Sequence, residues 1–111
     1  MLIYKIFRSD EWAAMQSDGE TLGAPIDLSD GYVHFSTAKQ ARETAAKHFA
    51  GEAGLWLIAA DTQKMDALEW EVSRGGAEFP HLYAPFKMEH VAWAAKLPLG
   101  ADGHQFPAKM A

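Results

Sequence analysis

The chain has 111 residues, 49% hydrophobic and 12% aromatic, and carries a formal charge of −5. That length suits a single domain over 1–111 with a small core, and the charge argues against a general nucleic-acid or acidic-membrane surface. The absence of cysteine excludes a disulfide framework, a thiolate metal site and a cysteine nucleophile. No apolar run approaches the ~18 residues of a membrane span, and no basic-then-apolar leader opens the chain, so a soluble cytoplasmic protein is expected.

Leu2 to Phe7 is an apolar run with β-branched Ile3 and Ile6, which predicts an N-terminal strand. Ser9 before Asp10 and Glu11 predicts a helix start, with Ser9 as cap and Trp12, Met15 and Ala13 turned to the core. Glu20 to Asp30 contains Gly23, Pro25, Asp27, Ser29 and Asp30 and reads as a long loop, of a length that is often functional. Tyr32 to Ser36 then alternates as a strand, placing Tyr32, His34 and Ser36 on one face and Val33 and Phe35 on the other.

Thr37 with Gln40 three residues later matches a capping box. Ala38, Ala41, Ala45 and Phe49 recur at helical spacing after it, with Gly51 as the expected C-terminal cap. Leu55 to Ala60 is apolar on both faces, which predicts a central strand covered on each side. Leu68, Trp70 and Val72 alternate with Glu69, Glu71 and Ser73 in the next strand, before Arg74-Gly75-Gly76 breaks it. Pro80 and Pro85 confine Glu78 to Pro85 to an edge strand or an ordered loop. Val91 to Leu97 predicts a last strand, and 98–111 reads as a loosely ordered tail. Two early helices and strands crowded into the second half favour an α+β domain with a mainly antiparallel sheet.

Two polar pairs stand on strands at i, i+2 spacing: His34 with Ser36, and His81 with Tyr83. A histidine can donate at one nitrogen and accept at the other, which suits a ribose or carboxamide, and aromatic neighbours suit a planar base. A half-buried strand histidine satisfied by backbone, and aromatics packing a proline-bounded strand, account for the same residues without any ligand. Glu71 could serve as a general base and Arg74 could hold a phosphate, although a solvated strand face ending in a charged turn is the commoner use of such residues. The five histidines show no metal-ligand spacing, and neither a phosphate loop nor a nucleophile elbow is present.

Asp30-Gly31-Tyr32-Val33-His34-Phe35-Ser36-Thr37, with Gln40 and Thr44, is the first of three matching segments. The others are Trp70-Glu71-Val72-Ser73-Arg74-Gly75-Gly76 and Phe79-Pro80-His81-Leu82-Tyr83. Together they resemble the DUF952 family of small, mostly bacterial proteins, from Ile3 to Leu97. The resemblance implies a fold similar to that of ADP-ribosyltransferases, a split antiparallel sheet with a cleft for NAD. By that implication His34 contacts the adenosine ribose, and His81 or Tyr83 lines the same cleft. NAD, as ligand or substrate, is then expected, with no metal. No residue clearly matches the late glutamate of many transferases, since Glu71 precedes the Phe79-Pro80-His81-Leu82-Tyr83 segment and Glu89 follows it.

The candidate catalytic residues are thus His34 and Glu71, and the candidate ligand contacts are His34, Ser36, Thr37, Arg74, His81 and Tyr83. Three readings stand: an enzyme acting on NAD or a nucleotide-like molecule, a binding module that kept only the cleft, and a structural protein without a ligand.

Overall fold

The computed structural model describes residues 1–110, apart from the side chain of Arg74. In chain order come β1 (Leu2–Arg8), α1 (Ser9–Asp18), β2 (Glu20–Thr21), α2 (Pro25–Asp30), β3 (Val33–His34) and α3 (Ala38–His48). They are followed by β4 (Leu55–Asp61), β5 (Leu68–Val72), β6 (Glu78–Leu82), β7 (Phe86–Lys87) and β8 (Val91–Leu97), and by β9 (Leu99–Gly100) and β10 (Gly103–His104). The pairings are antiparallel throughout. One sheet has the order β1-β4-β8 and a second the order β3-β6-β5, with β2-β7 and β9-β10 as small ribbons. The class is α+β with mainly antiparallel sheets, as the sequence predicts.

β4 is the central strand of the first sheet, covered on both faces. Alternation along β1 explains how. Ile3 and Phe7 join Trp12, Met15, Val33, Phe35, Ile58, Leu82 and Phe86 in a core between the two sheets. Tyr4 and Ile6 join Ala41, Ala45, Leu55, Leu57 and Ala59 in a second core beneath α3. Thr37 caps α3 through the predicted box: its Oγ1 accepts from the Gln40 amide at 3.2 Å, and its amide donates to Gln40 Oε1 at 3.0 Å.

Several expectations are corrected. The Glu20 to Asp30 loop contains β2 and the additional helix α2, so three α-helices rather than two precede β4 among the described residues. Arg8, not Ser9, is the cap position of α1, Ala13 is exposed, and α3 ends at Phe49 rather than on Gly51. β6, expected as an edge strand or an ordered loop, is the middle strand of its sheet. Pro80 is tolerated there because β3 is two residues long. The Phe35 amide still donates to the Pro80 carbonyl at 2.9 Å, so only the reciprocal bond, beyond the end of β3, is lost. Trp70 and Val72, on the edge strand β5, are 38% and 68% exposed, whereas Leu68 on the same face packs against the core between the sheets. The segment after Pro98 forms the β9-β10 ribbon, tied to the body by His104 Nε2 on the Glu52 carbonyl at 2.7 Å and by Arg42 over the Phe106 ring.

The two sheets are joined where the chain leaves β3. Val33 and His34 pair with β6, and two residues later Ser36 exchanges backbone hydrogen bonds with Tyr4 of β1 at 2.7 and 2.8 Å. One short segment therefore belongs to both sheets, and a cleft opens beside it.

Candidate functional site

The register of β3 against β6 sets His34 directly opposite His81. Their ring centroids lie 5.3 Å apart. Each ring has a carboxylate on Nδ1, Asp27 Oδ1 at 2.6 Å from His34 and Glu71 Oε1 at 2.8 Å from His81. A carboxylate held ionised only accepts, so Nδ1 of each ring carries a proton toward it.

Asp27 is buried, and its carboxylate is the densest hydrogen-bonding point of the site. It accepts from Lys5 Nζ at 2.7 Å (Oδ2) and 2.9 Å (Oδ1), from the His34 amide at 3.0 Å and from the Ala24 amide at 2.7 Å, besides the His34 ring. Burial by itself pushes the Asp27 carboxyl up, but the His34 and Lys5 donors outweigh it and hold the group below the usual carboxylate range. Burial pushes the Lys5 ammonium down against the pull of Asp27, and a third bond, to the His34 carbonyl at 2.8 Å, completes its shell. Gly23, at φ +106, makes room for this arrangement, since a methyl group there would overlap the Asp27 carboxylate.

Glu71 accepts from Tyr83 Oη at 2.6 Å as well as from His81, and these bonds, Tyr83 first, hold its carboxyl below the usual range. In return Glu71 pushes the Tyr83 phenol up to about 12. Tyr32 stands against this whole group, with ring centroids 4.2 Å from His81, 4.5 Å from His34 and 5.1 Å from Tyr83. Burial, followed by the charges of Asp30, Glu71 and Asp27, raises the Tyr32 phenol.

The cleft beside these groups has a volume of about 810 Å³. His34, Ser36 and His81 line it, together with Tyr32, Asp30 and Lys5, and it runs on past Thr44 to Arg8 and Phe49. Of the residues singled out in the sequence, His34, Ser36 and His81 thus meet in one cavity. Glu71 stands behind His81, and Tyr83 lines a smaller cavity of about 330 Å³ on the other side of Tyr32. Thr37 spends its hydroxyl on the α3 cap, and Ser36 Oγ lies 2.9 Å from Thr44 Oγ1. The side chain of Arg74 lies outside the described residues. Lys5, Asp27, Asp30 and Tyr32 were not singled out. A lysine inside the apolar run of β1 was the one visible signal, because a buried ammonium requires a buried acceptor.

Among the described residues no group of three or more His, Cys, Asp or Glu side chains is placed to hold a metal ion, and no helix is long and apolar enough to cross a membrane.

Residues 6–94 match the family described as protein of unknown function (DUF952). The chain belongs to that family. The crystal structure of protein CC0527 from Caulobacter crescentus is similar over 95% of this chain and 94% of that one, with 48% identity and a TM-score of 0.90. The solution NMR structure of CC0527 is similar over 93% and 90%, with a TM-score of 0.83. No curated protein matches the chain.

Proposed function

We propose that this DUF952 protein is ADP-ribosyltransferase-like and binds NAD or a related nucleotide in the cleft between its sheets. The observation that carries the reading is the pair His34 and His81, opposed across β3 and β6, each fixed by a carboxylate, at the wall of a cleft of about 810 Å³. A cavity of that size with a few convergent polar groups suits a ligand of small-molecule or cofactor dimensions. The imidazole of His34 meets a ribose hydroxyl, Tyr32 offers a ring face to a planar base, and the stretch toward Arg8 accommodates the remainder of the ligand. In the catalytic form of the reading, His34 handles a proton at the sugar.

One observation favours a binding module over a transferase. Glu71, the residue available for the role of the transferase glutamate, is committed to His81 and Tyr83 and acts as a positioning residue for His81.

Calorimetry with NAD, ADP-ribose and nicotinamide tests the reading. NAD and ADP-ribose are expected to bind, and His34→Asn is expected to weaken them at least about tenfold while moving the Tm by only a few degrees, because the Asn amide can replace Nδ1 toward Asp27. Absence of binding near millimolar concentration rejects the reading. Release of free nicotinamide on incubation with NAD would make the protein an enzyme, and its absence a binder.

A further inference from the structure

Both ring nitrogens of His34 face carboxylates of the same short helix. Asp27 holds Nδ1 at 2.6 Å, and Asp30, the last residue of α2, places Oδ2 3.0 Å from Nε2. The nitrogen that would meet a ligand is therefore already covered by the protein itself. We propose that Asp30 is a built-in competitor at His34, occupying the position of a ligand oxygen and leaving when a ligand arrives. The inference rests on the reading of His34 as a ligand contact and deepens it.

The two carboxylates are not equivalent. The Asp27 side chain is fully buried and saturated with donors, whereas that of Asp30 is 43% exposed and has His34 as its only ion-pair partner among the described residues. An exposed pair of this kind is weak and readily exchanged. Asp30 also has somewhere to go. It lines the main cleft, and it is followed by Gly31 at φ +85, where nothing lies within 4 Å of an added Cβ.

The surroundings decide what replaces it. Facing the His34 ring are Asp27 and Asp30 from α2, His81 from β6 with Glu71 behind it, and Tyr32 from its own segment, while Lys5 of β1 reaches the His34 carbonyl. Lys5 is spent on Asp27 and the His34 carbonyl. A carboxylate oxygen only accepts, so the Asp30 contact requires a proton on Nε2 besides the one Asp27 holds on Nδ1, and the atom that replaces Asp30 at that N–H is an acceptor oxygen of a sugar hydroxyl or a phosphate. An apolar group there would leave the imidazole nitrogen without a partner.

Asp30→Ala and Asp30→Asn test the proposal in two measurements, with the Tm of each variant recorded. The first uses no ligand: diethyl pyrocarbonate acylates an accessible imidazole nitrogen, and mass spectrometry maps the site. Acylation of His34 is expected to speed up several-fold in Asp30→Ala, with His48 and His104 unchanged. An unchanged His34 rate overturns the proposal. The second is calorimetry with NAD and ADP-ribose, where removing the competitor is expected to tighten binding roughly two- to tenfold. Unchanged or weaker binding in Asp30→Ala overturns the proposal, because Asp30 would then be idle or a ligand contact itself. A faster His34 reaction with no nucleotide bound by either protein rejects the nucleotide reading and leaves the masking of His34 standing.

Discussion

α2 and α3 both border the cleft, yet forces of different kinds hold them in place. α3 buries Ala41 and Ala45 against the first sheet and closes its first turn with the neutral Thr37–Gln40 box. α2 buries one side chain of its six, and that side chain is the Asp27 carboxylate, while Ile26 and Leu28 stand 57% and 59% exposed. Apolar contact spreads the hold on α3 over many weak contacts. A single charged pin concentrates the hold on α2 at one atom group, where it also orients His34. The lesson is that the helix carrying chemistry is anchored by the chemistry.

The largest effect should come from drawing the pin. Asp27→Asn leaves the Lys5 ammonium buried without its counter-charge and should cost about 3–5 kcal/mol, read as a much lower denaturation midpoint. A loss below about 1 kcal/mol would mean that α2 is held by something else. Acid should act in the same direction. Asp27 titrates lower in the fold than in the unfolded chain, so its contribution is complete above the ordinary carboxylate range and disappears as pH falls through the depressed folded value. The cap of α3 has no such group. Hydrogen exchange followed downward in pH should therefore expose the amides of α2 before those of α3, and simultaneous loss would erase the distinction.

Next in size is Thr37→Ala, which removes one cap and should destabilise by about 1 kcal/mol with no effect on His34 reactivity. Smallest is Leu28→Ser. Because that side chain is exposed, the variant should stay within about 0.5 kcal/mol of the parent in chemical denaturation, and a larger loss would show that α2 has an apolar anchor after all.

This contrast also explains what could be read from the chain before its structure. α3 was legible because its cap and its apolar spacing are local, three or four residues apart. β1 and β4 were legible because an apolar run needs no partner to be recognised. α2 was not, since Asp27 finds Lys5 22 residues away and the helix shows no apolar face. His34 and His81 each stood out from an i, i+2 pairing, but only the strand register sets them opposite one another. β6 was expected as an edge strand or an ordered loop because Pro80 normally forbids a middle position, and the brevity of β3 that permits it is a property of the sheet. Alternation puts Trp70 and Val72 on one face with Leu68, but it reports only that a strand has two faces and not how far along the strand a face is covered.

β5 is an open edge with two large apolar side chains in water, the kind of strand that invites a second copy to extend the sheet. Antiparallel docking of two such strands about Trp70 would bring Glu69 of each copy against Glu71 of the other, and like charges placed directly opposite repel. The carboxylate that steadies His81 thereby also opposes extension of the sheet across this edge. Replacing its neighbour, as in Glu69→Thr, should leave the cleft unaltered and make light scattering rise with concentration. An unchanged scattering profile would mean that this pair of charges does not govern pairing at the β5 edge. If scattering does rise, the freedom of this edge to vary is limited by colloidal behaviour as well as by the site behind it.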